Sequence, residues 1–378
     1  MTKILGFFKT NFIFTVAIIA AAISCFFVPF DKEYLGYFDI DTLACITLLL
    51  LVIAGFSNIQ FFQKVARWLV KKFKTTRSII MCLIFITYVS ALVNANDMSL
   101  LTFLPLAYIV LKYTNNIRYV AFTFIMQNIA SNLGGMITPI GNPQNLYIYS
   151  FYNMNLWEFF KIMAIPTLIA LVLIIIVCLF VKKTPLEYND EEETRFSIPK
   201  AITYGCLFLI TILVVLNVIP WWIATIVILV TMIFSDIKAF LLVDYTIPLT
   251  FVAFFIFSGN LSRIPAVISL MESFINEYTF ITAYISCQFI SNVPTAVLLS
   301  KFTGNYAHLL VSVNVASLGI IFSSLSGVIA LKEYIKVVKK EKLPRKHGVW
   351  YYIGMDTLFN VVGAIILVPL SYLSLLII

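Results

Sequence analysis

Charged side chains are scarce in this chain. Of its 378 residues only 12% are Asp, Glu, Lys or Arg, about half the share found in an average soluble domain. Hydrophobic residues make up 61%, and the mean hydropathy is +0.98. A soluble fold could not bury this much apolar surface, so the composition excludes a soluble globular protein and predicts that lipid surrounds the chain.

The sequence also lacks the motifs of several enzyme and pump classes. It contains no G-x-x-x-x-G-K phosphate-binding loop, which argues against ATP-driven pumping by this chain. It contains no H-E-x-x-H motif and no recognisable Ser-His-Asp set, so we expect no enzyme and no resident cofactor. Six cysteines lie in apolar segments without a C-x-x-C pair, and we expect small core residues rather than a metal or redox site.

What the chain does contain is a series of long apolar runs. Many reach the roughly 20 residues that a spanning helix needs, and their uniform hydrophobicity is unlike the alternation of a membrane barrel. Met1–Ile19 resembles a signal peptide, but no small-residue cleavage site follows, so we expect the first membrane helix there. The basic loop Gln63–Arg77 and the net charge of +8 predict a plasma (inner) membrane protein with a cytoplasmic N-terminus, and no nucleic-acid binding.

Two polar interruptions break the apolar runs of the first half. Ser78–Leu111 contains the sequence NAND at Asn94–Asp97, and each of its two arms is short for a full span. Both ends adjoin basic loops, so we predict a re-entrant hairpin that enters from the cytoplasm with its tip at Asn94–Asp97. The next apolar segment contains NLGGMITPIGNPQNLYIY at Asn132–Tyr149, whose Gly, Pro and Asn residues predict a broken helix.

The second half repeats this plan. Thr279–Phe302 is divided by SNVP at Ser291–Pro294, and this division predicts a second hairpin. The long span Ala307–Leu331 is interrupted by SSLSG at Ser323–Gly327, which predicts a second broken helix. A hairpin and a broken helix in matching places of two halves are typical of a transporter with a binding site near the membrane midplane.

One odd span, Ala201–Ile219, reverses the orientation of the second half and gives nine crossings. We therefore predict an all-α polytopic membrane protein made of two inverted repeats, 1–182 and 220–378. A cytoplasmic linker and a connecting span at 183–219 join them. Each repeat contributes one re-entrant hairpin and one broken transmembrane helix.

The interruptions carry groups that are suited to binding. Gly135 and Gly141 allow the backbone to approach a ligand closely, and Pro139 and Pro143 free carbonyl groups from helical bonding. Freed carbonyls together with Asn and Thr oxygens form a cage suited to a hard cation such as Na+. The second half-site offers similar oxygens but no acid.

Asp97 stands apart, because a carboxylate at this depth costs about 3 kcal/mol unless it is paired or protonated. One interpretation is that Asp97 binds a coupling cation or carries a proton. The other is that it caps the second hairpin arm, and the two are compatible. The arms that begin near Met98 and Thr295 point helix N-termini at the cavity, which favours an anionic or oxyanionic substrate.

Four stretches together resemble the ion transporter superfamily, more closely its arsenite permease and citrate-transporter-like branch, which is related to the divalent anion/sodium symporters. They are NANDMSLLTFLPL, NIASNLGGMITPIGNPQNLYIY, CQFISNVPTAVLLSKFTGNY and VNVASLGIIFSSLSGVIALKEY, and the likeness runs in order over nearly the whole chain. The resemblance implies a scaffold and a transport domain, an elevator mechanism and a homodimer. It also implies that the tips and the broken helices bind the substrate and the coupling Na+ or H+.

Residue by residue, the resemblance carries over onto the tips and the broken helices. The matching residues are Asn94, Asn96 and Asp97 at the first tip, Ser291, Asn292 and Pro294 at the second tip, Asn132, Gly135, Gly141, Asn142 and Asn145 in the first broken helix, and Asn314 and Ser323 in the second. The dicarboxylate symporters carry Ser-Asn-Thr at both tips, whereas here the tips read Asn-Ala-Asn-Asp and Ser-Asn-Val. The resemblance therefore does not extend to dicarboxylate specificity.

The predicted function is secondary active transport of a small anion or oxyanion, carboxylate- or arsenite-like, coupled to H+ or Na+. The candidate substrate-binding residues are Asn94, Asn96, Asn142, Asn145, Ser291, Asn292, Thr295, Ser323 and Ser324. The candidate ion-coupling residues are Asp97, Asn132, Gly135, Thr138, Gly141 and Asn314, and the candidate Na+ ligands are Asn96, Asp97, Asn132 and Gly141. An alternative is a Na+/H+ antiporter of the same fold, in which Asp97 exchanges protons. A channel is a further alternative, which the hairpins argue against.

Overall fold

The computed structural model describes residues 12–38, 40–92, 96–186, 196–215, 218–243 and 245–377, and over these ranges the chain is helical apart from short connections. The helices of the first half are α1 (Phe12–Ser24), α2 (Ile40–Asn58), α3 (Phe61–Lys72), α4 (Thr76–Ala91), α5 (Asn96–Tyr113), α6 (Val120–Gly134), α7 (Pro143–Phe151) and α8 (Leu156–Leu179). Those of the second half are α9 (Ile198–Val215), α10 (Trp221–Asp236), α11 (Ala239–Leu242), α12 (Thr246–Leu261), α13 (Pro265–Ile290), α14 (Asn292–Leu299), α15 (Tyr306–Val315), α16 (Leu325–Glu341) and α17 (Val349–Ser374).

The lengths and composition of these helices are those of a multi-pass membrane protein. Within the described ranges, three helical stretches are long and apolar enough to cross a membrane: Ile117–Ile137, Leu156–Leu179 and Arg345–Ser374. Shorter apolar helices of 10–17 residues accompany them. Large apolar side chains such as Phe234 and Leu241 are exposed on the outside of the molecule, as expected where lipid is the solvent. The number of nine crossings stays a prediction.

The buried apolar side chains form two large cores. The first core joins α4–α8 with α13–α17 and includes Leu83, Phe124 and Leu310. The second core lies between α2, α9, α10 and α12 and includes Val52 and Ile228. Lipid tails are as apolar as these side chains, so close packing rather than a hydrophobic driving force holds the helices together within each core. Every candidate site residue that the structure describes lies on the elements of the first core.

The sequence also predicts two amphipathic surface helices, one within Gln63–Arg77 and one within Leu261–Tyr278, and both segments contain a helix. The segment after the second apolar run is α3, which ends in Lys71 and Lys72. In the second half the predicted surface helix and the first arm of the predicted hairpin form one helix, α13, which bends at Tyr278 (φ −131°, ψ 41°). The bend separates the two parts at the position where the sequence prediction divides them.

Two boundaries of the second broken segment differ from the prediction. The chain leaves the helix after Val315, where α15 ends, and resumes it at Leu325 in α16, whereas the predicted break was SSLSG at Ser323–Gly327. That motif instead starts α16, because Ser324 Oγ accepts a hydrogen bond from Gly327 N at 3.3 Å as an N-cap side chain does. α16 then continues to Glu341, beyond the predicted end at Leu331, because Lys and Glu are good helix formers.

The cysteines only partly follow the prediction of small core residues. Cys45, Cys178 and Cys287 are buried, and Cys25 and Cys82 are half-buried. For Cys206 the prediction is wrong, since this side chain is exposed on the apolar helix α9. All six are free thiols.

Candidate functional site

The candidate site lies where four helices begin inside the first core. These helices are α5, α7, α14 and α16, which start at Asn96, Pro143, Asn292 and Leu325. At three of the starts an Asn or Ser oxygen accepts a backbone N–H: Asn96 Oδ1 from Asp97 at 2.9 Å, Asn292 Oδ1 from Val293 at 3.0 Å, and Ser324 Oγ from Gly327 at 3.3 Å. The first turn of a helix leaves N–H groups without helical partners, so four sets of donors converge on this region.

Glycine is required at the first break because backbone segments touch there. A Cβ on Gly135 would lie 2.6 Å from the Gly141 carbonyl oxygen and would overlap Asn142 Oδ1. A Cβ on Gly141 would lie 2.6 Å from the carbonyl oxygen of Ala91 at the end of α4. The same Gly141 carbonyl accepts a hydrogen bond from the N–H of Asn96 at 2.9 Å. The break between α6 and α7 is therefore hydrogen bonded to the first residue of α5.

A buried polar network joins the first tip to both breaks. Asn96 Nδ2 donates to Asn132 Oδ1 at 2.8 Å and to Ser326 Oγ at 2.9 Å. Ser326 Oγ lies 2.6 Å from Asp97 Oδ1 and 3.2 Å from Asn132 Oδ1, and its single hydroxyl proton can be donated to either oxygen. All four side chains are buried, and Asp97 is only 5% exposed. Residues from α5, α6 and α16 thus meet around one carboxylate.

A second group of amides ties the two breaks together. Asn142 Nδ2 donates to Asn314 Oδ1 at 2.8 Å, and Asn314 Nδ2 donates to Asn145 Oδ1 at 2.5 Å. Gln144 Nε2 lies 3.3 Å from the same Asn314 oxygen. Within the described part of the chain, Asn142 Oδ1 and Gln144 Oε1 are buried without a hydrogen-bond partner. Such orphan acceptors in a protein interior call for an explanation, and a bound ligand supplies one.

The second tip has a different local structure. Ser291 has φ 71° and ψ 163°, a conformation that residues other than glycine rarely adopt. Its hydroxyl donates to the Ser323 carbonyl oxygen at 3.3 Å, which joins this tip to the second break. The Thr295 hydroxyl donates back to the Ser291 carbonyl oxygen at 2.7 Å and steadies the turn.

The structure brings most of the predicted site residues together, with some exceptions. Asn94 lies outside the described residues. Thr138, Thr295 and Ser323 are near the network but bond to backbone carbonyl groups rather than to other predicted side chains. Their hydroxyls donate to Leu92, Ser291 and Ser317 at 2.6, 2.7 and 3.3 Å. The roles assigned to the individual residues stay predictions.

Three residues of the network were not among the predicted site residues. Ser326 bridges the first tip to the second break, and its only sequence signal is membership of SSLSG. Asn128 accepts from Asn132 Nδ2 through its carbonyl oxygen at 3.0 Å and its Oδ1 at 3.1 Å, and the four-residue spacing on α6 predicts this contact. Gln144 sits between two predicted residues and carries no separate signal.

The arrangement determines which ligands the site suits. Its side chains are amides, hydroxyls and one carboxylate, and all are buried in an apolar core. Oxygen atoms of this kind suit a hard cation, while the four helix starts suit an anion. A polar site between interrupted helices of an apolar, multi-pass chain defines a membrane transporter.

Comparison with known proteins supplies the family. Residues 4–327 match the family described as CitMHS, citrate transporter, and the chain belongs to this family. It is 30% identical over 292 residues to the transporter MJ0456 of Methanocaldococcus jannaschii, a match that covers 77% of this chain and 80% of that one. It is 29% identical over 315 residues to the inner membrane protein YbiR of Escherichia coli, a match that covers 81% and 83%. The predicted resemblance to the citrate-transporter-like branch and the expectation of a non-enzyme are confirmed.

Proposed function

We propose that this protein is a secondary active transporter of a small carboxylate or oxyanion, coupled to Na+ or H+. The observation that carries the proposal is the convergence of four helix starts on one buried network that contains a single carboxylate. The helix starts supply positive potential for an anion, and the oxygens supply ligands for a cation. An anion and a coupling cation together reduce the net charge that must cross the bilayer.

The anion half of the proposal follows from the N-termini. A helix start is equivalent to about half a positive charge and presents free N–H groups. α5 and α16 begin within the buried network, and α7 and α14 begin at Pro143 and Asn292 beside the first break and the second tip. The side chains of the network carry no positive charge. The name of the family points to citrate, which has the carboxylate chemistry that helix N-termini bind. Arsenite-like oxyanions remain part of the substrate class to be tested.

The cation half of the proposal follows from the oxygens near the first break. The predicted Na+ ligands Asn96, Asp97, Asn132 and Gly141 are linked by direct hydrogen bonds. Each of these residues already has one oxygen that accepts a protein donor, so a cation would compete with those four bonds. Asn142 Oδ1, however, is buried without a partner in the described ranges and lies beside Gly135. The oxygen atoms of these residues are suitable ligands for Na+. The alternative is that a proton on Asp97 neutralises the charge of the carboxylate.

Contacts between distant segments support the inverted repeats. With a cytoplasmic N-terminus, counting the predicted crossings places Asp31, Glu158, Arg263 and Tyr306 on the outer side. There Arg263 contacts Asp31, and Tyr306 contacts Glu158. Segments predicted on the cytoplasmic side touch each other through Thr76 with Thr184, Lys112 with Glu341 and Asn58 with Asp236. The four pairs that join the two halves fit the orientation in which the second half is inverted, and a parallel orientation does not account for them. The Thr76–Thr184 contact lies outside the second half and fits both orientations.

The two separate cores support an elevator mechanism. The candidate site belongs to the first core, while α2, α9, α10 and α12 form the second. We propose that the first core moves as the transport domain against the second, which acts as the scaffold. α14, which follows the second tip, contributes Val297 to the second core and Leu298 to the first. This helix therefore lies at the boundary along which the two cores would move relative to each other.

The experiment is substrate counterflow in proteoliposomes with a panel of citrate, sulfate and arsenite, with and without Na+ and a pH gradient. Counterflow with one of these anions, together with uphill uptake under one ion gradient, is the expected result. Na+/H+ exchange without anion transport would instead establish the antiporter of the same fold. Anion flux that never exceeds equilibrium under any gradient would overturn the coupling and indicate a channel.

A further inference from the structure

A second buried carboxyl group lies on the last helix, away from the candidate site. Asp356 is in the third turn of α17 and is only 1% exposed. Neither of its carboxylate oxygens has a hydrogen-bond partner among the described residues, and no ion pair in these ranges includes it. An unpaired charge in such a place is strongly unfavourable. The position therefore calls for a neutral carboxyl group or a bound cation.

Two more orphan groups flank Asp356 on the same face of α17. Tyr352 lies four residues before it and Asn360 four residues after it, so the three side chains stack along the helix. Both are buried, and in the described part of the chain the Tyr352 hydroxyl and Asn360 Oδ1 lack partners as well. Asn360 Nδ2 donates to the Asp356 backbone carbonyl at 2.9 Å, which fixes the amide so that Oδ1 is left as an acceptor.

One added proton completes the pairing of these groups. The structure shows no hydrogen bond between Tyr352 and Asp356, but the side chains lie one helical turn apart. A side-chain rotation would let the Tyr352 O–H donate to one carboxyl oxygen and a protonated Asp356 donate to Asn360 Oδ1. An ionised carboxylate would have only the tyrosine donor for its two oxygens and would leave Asn360 Oδ1 unmatched, at a cost for each buried orphan. The donor and acceptor inventory of these three side chains therefore favours the neutral acid.

The elements packed against α17 include α6, α8, α15 and α16 and the turn before it. Tyr334 of α16 stacks on Tyr352 with ring centroids 4.6 Å apart, and its hydroxyl donates to the His347 carbonyl oxygen at 2.7 Å. Charged residues on α16 begin at Lys332, and Glu333 pairs with Lys336. α6 has no titratable side chain. The titratable groups that these contacts bring toward Asp356 are thus Tyr334 and Tyr352, followed by the basic turn at His347.

The charged groups of the other neighbours lie at the far end of α17. Glu158 of α8 accepts from Tyr306, and the His308 ring of α15 lies 6.1 Å from the Tyr372 ring. Tyr372 is about 24 Å from Asp356 along the helix axis, at 1.5 Å per residue. Besides these, α8 contributes Lys161 near Glu158 and the buried thiol of Cys178. None of these groups forms an ion pair with Asp356.

We propose that Asp356 is a second proton-binding site of this protein, in which Tyr352 and Asn360 hold the protonated carboxyl group and its release and uptake of a proton couple to transport. An O–H bond forms on the carboxyl group when a hydronium ion in water at the basic end of α17 gives up its proton, and the same proton returns to water. The family match ends at residue 327, so this helix lies beyond the matched residues. The coupling half of the proposal rests on the proposed function, and the protonation half does not.

Infrared difference spectroscopy of the purified protein tests the protonation directly. We expect the carbonyl-stretching region of protonated carboxyl groups to lose one component in Asp356→Asn, and we expect Asp97→Asn to retain that component whether or not Asp97 itself is protonated. Asp236→Asn is the matched control, because the oxygens of this buried carboxylate already accept from Asn58 at 2.9 and 2.7 Å and from Tyr204 at 3.1 Å. Wild-type intensity in Asp356→Asn would overturn the proposal.

Transport in proteoliposomes tests the coupling. We expect Asp356→Asn to lose accumulation driven by a pH gradient while counterflow of the same anion remains measurable. Accumulation equal to that of the wild type, despite loss of the infrared intensity, would make Asp356 a structural acid and overturn the coupling. If no anion in the panel shows counterflow with the wild-type protein, the proposed function fails and the infrared result still decides the protonation.

A second variant covers the case in which Asp356→Asn does not fold. Tyr352→Phe removes the proposed donor to the carboxyl group and keeps the stacked ring. We expect the infrared band assigned to Asp356 to shift but not to disappear. An unshifted band in a folded Tyr352→Phe protein would show that the tyrosine does not hold the carboxyl group, and it would overturn the arrangement proposed here.

Discussion

The two tips are built from similar polar residues but differ in charge and in backbone. The first tip places Asp97 against Ser326, with the carboxylate 2.6 Å from the hydroxyl. The second tip has no acid, and its Ser291 holds φ 71° while its hydroxyl reaches the Ser323 carbonyl oxygen. Both tips therefore rest on the same stretch, Ser323–Ser326, and only one of them brings a titratable group.

This difference separates two tasks. Only the first tip carries a carboxylate that can bind a proton or a cation. The coupling of transport to an ion gradient is therefore expected to depend on the first tip. The second tip offers helix N–H groups and a strained turn, which suit an anion and a change of conformation. The predictions that follow test this division, beginning with the largest expected effect.

Asp97→Asn is expected to have the largest effect. It removes the carboxylate and keeps an oxygen that can accept from Ser326, so the fold should survive. We expect ion-driven accumulation in proteoliposomes to be lost while counterflow persists. Asn292→Ala at the second tip is the comparison, and it should weaken counterflow and accumulation together. Equal losses of counterflow and accumulation in the two variants would contradict the proposal that the first tip serves coupling and the second tip serves anion binding.

Gly135→Ala is expected to destabilise the protein strongly. The new Cβ would lie 2.6 Å from the Gly141 carbonyl, and overpacking of this kind costs about 1–3 kcal/mol. Gly319→Ala in the second break should cost less, because its Cβ would meet the side chain of Gln288, which can move, rather than backbone. Thermal unfolding in detergent measures both, and Gly205→Ala is the control, because nothing lies within 4 Å of its Cβ.

The order Gly135→Ala, Gly319→Ala, Gly205→Ala from least to most stable is the expected result. A Gly319→Ala protein as unstable as Gly135→Ala would show that the second break is as tightly closed as the first.

Ser291 allows the strain at the second tip to be measured. Ser291→Gly and Ser291→Ala both remove the hydroxyl that donates to Ser323, but only glycine adopts φ 71° without cost. We therefore expect Ser291→Gly to be the more stable of the two by about 1 kcal/mol or more. The melting temperatures of the two variants give the difference, and identical values would mean that the turn is unstrained.

The smallest effect is expected at an acid outside the membrane-spanning segments. Hydrogen bonding from Arg263 lowers the pKa of Asp31 below its ordinary value. Because the folded-state pKa is depressed, this pair stabilises the protein above the unfolded pKa and loses that contribution as pH falls through the folded one, below about pH 4. Asp31→Asn should flatten the fall in melting temperature over that acid range.

Transport at neutral pH should remain near the wild-type level in Asp31→Asn, in contrast to Asp97→Asn. A large transport defect in Asp31→Asn would mean that a charged residue outside the two tips also contributes to ion-coupled transport.

The breaks could be predicted from sequence because their residue types differ from those of the apolar helices on either side. Gly, Pro and Asn residues in apolar stretches such as Asn132–Tyr149 have no reason to be there unless the helix is interrupted, and the structure leaves the helix at Gly135 and resumes it at Pro143. The second break was placed several residues too late. The stretch after Val315 contains neither Pro nor Asn, and the Ser-rich motif belongs to the start of α16.

Contacts between halves could not be predicted in the same way. The amide pairs between Asn314 and the first break depend on how two distant helices pack, and the sequence records no such pairing. Asp356 shows another limit. The sequence places Tyr352, Asp356 and Asn360 on one face of the last helix, but it does not show whether that face is buried.

Ser326 has one hydroxyl proton and two neighbours that accept it, Asp97 Oδ1 at 2.6 Å and Asn132 Oδ1 at 3.2 Å. When Asp97 is ionised it draws that proton, since a charged acceptor forms the stronger bond. When Asp97 is itself protonated, the acid becomes a donor and the serine turns its hydrogen to the amide. The orientation of the Ser326 hydroxyl on α16, in the second half, thus depends on the charge of Asp97 in the first half.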